Sequence, residues 1–216
     1  MKQVTAVFVS GPPASGKSTL ARGLARRLNM SFIDLDTLSE PFLRPYLAQR
    51  PGYKDSQEYR DTMRDREYEA LMRLVRDNLE VGTGCVAVAP FSKERGSGDF
   101  PLRYLKDAPL AGRGLAGDGT EAEAGLEEET AVLSVGVVIS IDPQQQILNL
   151  RQRGAERDIE KIERWEEYSR ASGPGLSNNG DRWAVDIRIA VEYEDLKTNF
   201  FDEIERIAAL ATQAES

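Results

Sequence analysis

The stretch Gly11-Pro12-Pro13-Ala14-Ser15-Gly16-Lys17-Ser18 constrains this chain more than any other. It meets the pattern G-x-x-x-x-G-K-[ST] at every specified position. The context is right as well: residues 4–10 form an apolar, β-branched run that predicts a buried strand, and Leu20, Leu24 and Leu28 follow at helical spacing. Strand, glycine loop and helix come in the required order. Gly11 and Gly16 permit backbone conformations and a close approach that side chains would block, so successive N–H groups can point into one concavity. The start of the next helix adds unpaired N–H groups and a positive dipole end. Lys17 can reach terminal phosphates, and the Ser18 hydroxyl can ligate magnesium. A polyphosphate with its metal is the implied ligand. A chance glycine turn bearing a surface lysine would fit the bare pattern, but not the flanking strand and helix.

Composition narrows the chemistry. A chain of 216 residues suits one three-layer α/β domain over 1–216, or such a domain with an insertion. The formal charge of −8 argues against an electropositive track for nucleic acid and toward small substrates. Histidine is absent, which removes imidazole bases and nucleophile systems built on them and leaves carboxylates as proton acceptors. Cys85 is the only cysteine, so no intrachain disulfide can form, and its place in an apolar run predicts a core residue. The first strand begins without a leader and no apolar run is long enough for a bilayer, so the chain is expected to be cytoplasmic, with no membrane partner.

Four more strands are predicted, at residues 31–36, 85–89, 133–141 and 183–191. The second ends on Asp34-Leu35-Asp36. Residues 41–55 hold Pro41, Pro45 and Pro51 with Gly52, so short helical turns at most are expected there. Tyr68, Leu71, Met72, Val75 and Leu79 mark a long amphipathic helix over 56–80. Residues 93–130 are rich in Gly and Ala and turn acidic, which predicts a solvated, flexible insertion with a short helix near 100–106. Asp142-Pro143 opens a helix, and a last helix covers about 194–212. Alternating strands and helices imply a parallel sheet with its ligand at the carboxyl ends of the strands.

Asp34 and Asp36 would share a face of a regular strand. One could then hold magnesium while the other takes a proton from an acceptor hydroxyl, unless one of them caps the following helix. Arg151, Arg153 and Arg157 surround Gly154, which suits a flap whose guanidiniums clamp phosphate oxygens. The same arginines could instead pair with Glu156, Asp158 and Glu160.

At these residues the chain resembles the P-loop small-molecule kinases, the group that includes shikimate kinase, gluconate kinase, chloramphenicol phosphotransferase and zeta-toxin-like kinases. The resemblance implies a five-stranded parallel sheet in the order 2-3-1-4-5 with helices on both faces. It also implies MgATP as donor and transfer of the γ-phosphate to a hydroxyl of a small metabolite or antibiotic. Nucleotide contacts would come from Gly11, Ala14, Ser15, Gly16, Lys17, Ser18 and Thr19, with Arg151. Asp36 looks like the catalytic carboxylate and Asp34, with Ser18, like the metal side. Lys17 would act on the transferring phosphoryl group, and Arg153 and Arg157 look like arginines of a LID over 151–170. Two departures stand out. The third strand ends Val88-Ala89-Pro90-Phe91, with neither a Walker B acid nor the glycine-rich ending that shikimate kinases use, so a different acceptor is expected.

Overall fold

The computed structural model describes residues 3–50, 53, 56–105, 131–155, 158–172 and 183–213. Five strands form one parallel sheet: β1 (Gln3–Ser10), β2 (Ser31–Asp34), β3 (Cys85–Val88), β4 (Ala131–Ser140) and β5 (Ile187–Glu192). Their order is β2-β3-β1-β4-β5, as the resemblance implied. Every strand is flanked by helix, so both sheet faces are covered and the strand interiors can be apolar throughout.

Two cores result, one on each face, because alternate residues point opposite ways. Val7 and Val9 face a cluster completed by Leu20 and Leu24 of α1 (Lys17–Leu28) and by Ile204 and Ile207 of α10 (Phe200–Gln213). Ala6 and Phe8 face the other, where α4 (Arg64–Glu80) lays Tyr68, Leu71, Met72, Val75 and Leu79 on the sheet. Cys85 lies in this second core, and burial pushes its thiol up to about 12, so it stays protonated and inert near neutrality.

Three helical regions differ from expectation. The proline-containing stretch is not a set of short turns but α2 (Leu35–Gln49), an unbroken helix containing Pro41 and Pro45. Leu35, Ser39 and Leu43 recur every fourth residue on its buried side, while both prolines are exposed. Core contacts on one face therefore hold the helix where the missing backbone donors face solvent. The helix expected over 56–80 is interrupted at Met63, giving α3 (Gln57–Thr62) before α4. The C-terminal helix is likewise divided at Asn199 into α9 (Tyr193–Thr198) and α10.

The fifth strand starts later than its pattern suggested. Trp183 lies outside the ladder with its ring over β4, so close that a Cβ added to Gly136 would sit 2.1 Å from the indole. The strand begins only after Asp186, whose carboxylate accepts from Ser134 N and Oγ, both at 2.7 Å. Trp183 thus belongs to an aromatic cluster with Phe91 and Phe100, and no part of it is left for a nucleotide base.

The first third of the stretch assigned to an insertion is built into this cluster. A 3-10 turn at Glu94–Gly96 and the short helix α5 (Leu102–Leu105) bracket Phe100, and Glu94, Arg95 and Phe100 are buried. The acidic residues 106–130 lie outside the described residues. Among the described residues no helix is long and apolar enough to cross a membrane.

Gly136→Ala should destabilise the chain by about 1–3 kcal/mol, the usual cost of overpacking a core. Urea unfolding would show a lower midpoint at unchanged slope, and an unaltered midpoint would mean that the indole does not press on this strand.

Candidate active site

In a parallel sheet all strands finish at one edge, and here that edge gathers the loop after β1, Asp34 at the end of β2, Pro90 after β3 and the start of α6 (Pro143–Arg153) after β4. Register makes the alignment specific. Asp34 pairs with Val88, and Val88 with Val9, so Asp34 is level with the end of β1.

The glycine loop is held from behind. A Cβ on Gly11 would lie 2.8 Å from Ser15 Oγ and 2.9 Å from the carbonyl of Ile139, so only glycine lets the loop close on β4. Ser15 is buried in that contact and its hydroxyl has no hydrogen-bond partner, which leaves its backbone as the part that can serve a nucleotide. Ala14 and Gly16 take left-handed conformations, with φ of 59° and 83°, and nothing lies within 4 Å of the position a Gly16 Cβ would fill. Gly16 is also the N-cap of α1. Unlike α2, α3 and α6, whose first turns are capped by Asp34, Ser56 and Asp142, α1 has no side-chain cap. Thr19 N and Leu20 N both close on the Gly16 carbonyl at 3.0 Å to start the helix, and the positive dipole end of that start favours an anion. The Lys17 ammonium folds back to donate to the carbonyl of Pro12 at 2.7 Å.

Ser18 Oγ donates to Asp34 Oδ2 at 2.7 Å, and Asp34 Oδ1 accepts from Asp36 N at 2.9 Å. The two carboxylates therefore do not share a strand face. Asp34 closes β2 and caps α2, whereas Asp36 lies in the first turn of the helix and is exposed. The capping role weighed against a functional one is taken by Asp34 through Oδ1, while its Oδ2 accepts from Ser18. Ser18 and Asp34 form an all-oxygen donor set suited to a hard divalent ion. Among the described residues no group of three or more His, Cys, Asp or Glu converges, so water and phosphate oxygens would complete the shell, the usual arrangement for magnesium. At the end of β3, where an acid is missing, Ser10 Oγ donates to the carbonyl of Pro90 at 2.7 Å.

Two residues that sequence reasoning missed hold the loop from the other side. Gln146 Nε2 donates to the carbonyl of Pro13 at 3.1 Å, and Asn149 Nδ2 to that of Ala14 at 3.0 Å. Gln145 in turn donates to Asn149 Oδ1 at 2.8 Å, fixing which end of that amide faces the loop. Both contacts tie the loop to α6 through its carbonyls. The signal available was a buried glutamine inside the run Gln144-Gln145-Gln146, and composition could not say which of the three turns inward.

Arg153 lies seven residues beyond Gln146, within about 20° of it around the helix and hence on the side of the loop. Its guanidinium is paired with buried Asp158, Nε at 2.7 Å and Nη2 at 2.5 Å. One of the two roles weighed for the arginine cluster, an ion pair inside the flap, is therefore realised for this residue. Arg151 is exposed and about 140° away from Gln146, so it is not brought to the loop. Arg157 lies outside the described residues. The proposed LID begins as the end of α6, Gly154 taking the left-handed cap, and continues as α7 (Ile159–Glu163) and α8 (Trp165–Ser172). A separate open groove between α4 and α5, lined by Tyr68, Met72, Arg73, Arg103 and Tyr104, shares no residue with the loop.

Comparison with known proteins agrees with this geometry. Residues 7–100 match the family model described as an AAA domain. The chain has the P-loop kinase fold. Over 108 residues the P-loop domain is 33% identical to a shikimate kinase of Paracidovorax citrulli (strain AAC00-1), a match spanning 48% of this chain and 56% of that protein. A crystal structure from Chloroflexus aurantiacus j-10-fl, provisionally called a kinase, superposes with a TM-score of 0.59 at 15% identity, covering 99% of this chain and 97% of the other. A gluconokinase of Sinorhizobium meliloti 1021 gives a TM-score of 0.54 at 13% identity, covering 100% and 98%. At such identities the structural likeness establishes the fold of the P-loop domain, and the acceptor is a separate question.

Two outcomes follow for the P-loop domain. Replacing Gln146 or Asn149 by Leu should weaken ATP binding roughly two- to tenfold each, the worth of one hydrogen bond to the loop, measurable by titration calorimetry. Asp34→Asn should keep the helix cap and the melting temperature, since Asn caps as well as Asp. It should nevertheless weaken magnesium-dependent nucleotide binding by about 10- to 100-fold, in line with the loss of a charge-assisted contact. Unchanged magnesium dependence would remove Asp34 from the metal side.

Proposed function

We propose that this protein is an ATP-dependent phosphotransferase that moves the γ-phosphate to a hydroxyl of a small molecule. The observation that carries the reading is the hydrogen bond from Ser18 to Asp34, which ties the phosphate loop to a second strand whose next acid, Asp36, faces solvent at the same edge. A loop that only bound nucleotide would have less use for a carboxylate beside it that is not consumed in capping.

Phosphoryl transfer needs positioning, charge neutralisation and a group to orient or deprotonate the acceptor. The amides of the loop and of the α1 start hold the phosphates. On nucleotide binding Lys17 exchanges its Pro12 carbonyl for phosphate oxygens. Ser18 and Asp34 would hold magnesium, which would supply positive charge against the phosphates. The acceptor oxygen forms a bond to the γ-phosphorus as the bridging oxygen bond to the β-phosphate breaks, and ADP leaves. The acceptor proton goes to a carboxylate of Asp36, the natural base in a chain without histidine. Arg153, released from Asp158, and Arg157 are the cations that a closing flap would bring to the transferring group. Nucleotide contacts are Gly11, Ala14, Ser15, Gly16, Lys17, Ser18 and Thr19, the acceptor is a hydroxylated metabolite or antibiotic, and the site of action is cytoplasmic.

Asp36→Asn should lower transfer by about 10²–10⁴-fold, the typical worth of a general base, while leaving ATP affinity close to wild type. The assay is label transfer from γ-labelled ATP to a panel of sugars, polyols, nucleosides and antibiotics. Ordinary transfer by this variant would sink the assignment of Asp36. Label appearing only in inorganic phosphate across the panel would favour a nucleotide-responsive regulatory ATPase instead.

A further inference from the structure

Asp158 stands between α6 and α7 and is fully buried, yet only one of its two oxygens is satisfied. Its backbone N–H closes the turn after α6 on the carbonyl of Ala155 at 2.8 Å, which fixes where the carboxylate sits. Arg153 gives both Nε and Nη2 to the same oxygen, Oδ2, at 2.7 and 2.5 Å. A guanidinium that meets a carboxylate fork to fork satisfies both oxygens with parallel bonds. Here Oδ1 is left buried without a hydrogen bond. Lys161 Nζ lies 3.9 Å from it, and among the described residues Lys161 makes no other ion pair.

Two cations therefore share one buried anion, and they differ from it in freedom. The side chains of Arg153 and Lys161 are 35% and 23% exposed, against 0% for Asp158. A shift of about 1 Å would bring the Lys161 ammonium to hydrogen-bond distance of Oδ1. Arg153 has somewhere else to go. Asn149, one turn earlier on α6, donates to the carbonyl of Ala14, and four residues of helix advance only about 6 Å, so Arg153 starts beside the glycine loop. Other charges nearby are occupied or turned elsewhere: Arg164 pairs with Glu167 at 2.7 Å, Glu163 is exposed, and Arg151 is on another side of α6. Glu156, Arg157 and the side chain of Glu160 lie outside the described residues.

From this we infer that Lys161 is a positioning residue for phosphoryl transfer: it moves onto Oδ1 of Asp158, takes over the buried carboxylate, and so lets Arg153 turn to the γ-phosphate. This role rests on the kinase reading and deepens it, since it names what keeps Asp158 paired once the arginine has left. Removing the one bonded cation from a buried carboxylate is strongly unfavourable. With Lys161 in its place, the γ-phosphate gains a guanidinium and Asp158 keeps a cation. ADP has no γ-phosphate to draw Arg153 away, so with ADP the resting pair persists. Asp158 and Lys161 then act with opposite sign, the carboxylate holding Arg153 back and the ammonium releasing it. A carboxylate that merely propped Arg153 toward the phosphate would act in the same direction as Lys161.

The test uses the full chain with magnesium and compares, by calorimetry, its affinity for ADP and for the β,γ-imido analogue of ATP, which carries a γ-phosphate that is not transferred. The ratio of the two isolates what contacts to the γ-phosphate add. Arg153→Met should lower that ratio about tenfold, the worth of a charge-assisted bond. Lys161→Met, which leaves the resting Arg153–Asp158 pair intact, should lower it about fivefold with ADP affinity unchanged, and Lys161→Arg should restore it. Asp158→Asn should instead raise it about threefold, and Lys161→Met added to that variant should change it no further. No acceptor or turnover is involved, so a failure of the kinase reading is seen separately, as absent label transfer with these ratios intact. An unaltered ratio in Arg153→Met or Lys161→Met, a lower ratio in Asp158→Asn, or an equal effect of Lys161→Met in both backgrounds would overturn the inference. If Asp158→Asn does not fold, the contrast between Lys161→Met and Lys161→Arg alone decides.

Discussion

The amino end of α1 is the constraint around which the cleft is arranged. A helix start without a side-chain cap leaves donors that must find an acceptor. In this chain Gly16 supplies the turn but no oxygen, while three other helices receive Asp or Ser caps. The surrounding structure holds those donors in place. Gly11 is pressed against β4, the carbonyls of Pro13 and Ala14 are drawn to α6, and Ser18 is anchored to Asp34. A phosphate-binding loop is thus clamped from three sides before any nucleotide arrives, and little reorganisation remains at the moment of binding.

Asp34 shows how the second strand is coupled to the first. It ends a strand, caps a helix and accepts from the loop, and Asp36 follows it in the first turn of that helix. Beyond β3 the chain is shaped by packing. Four aromatic rings around Phe91 hold a backbone conformation that non-glycine residues seldom adopt, and Glu94, three residues on, pairs with Arg64 at the start of α4. Strain of this kind persists only where neighbours over-determine it. The carboxyl edge of the sheet is therefore followed by the glycine loop after β1 and by a core-supported ion pair after β3.

Much of this was legible in the chain, for reasons that differ by element. The strands at residues 3–10, 85–88 and 131–140 were readable because a strand buried on both faces is a continuous apolar run. The α4 stripe was readable because one helix face must be apolar. The helix through Pro41 and Pro45 was not, since local propensity argues against it and only the burial of Leu35, Ser39 and Leu43 outweighs the lost donors. The start of β5 was misplaced because Trp183 looks like a strand residue until Gly136 of a distant strand offers it a seat. The joint use of Asp34 as cap and Ser18 partner was invisible for a related reason: each role is a local habit of aspartate, and their coincidence depends on strand register.

By itself the sequence determined the loop, the sheet class and the absence of histidine, because these follow from short motifs, periodicity and composition. Tertiary structure decided which glutamine of three reaches the loop, that Arg153 is held by Asp158, and that Arg64 is closed by Glu94 thirty residues away. The physical reason is common to all three. A hydrogen bond or ion pair between side chains is fixed by distance and burial, which only packing supplies, whereas a backbone turn that requires glycine is written into the chain where it occurs.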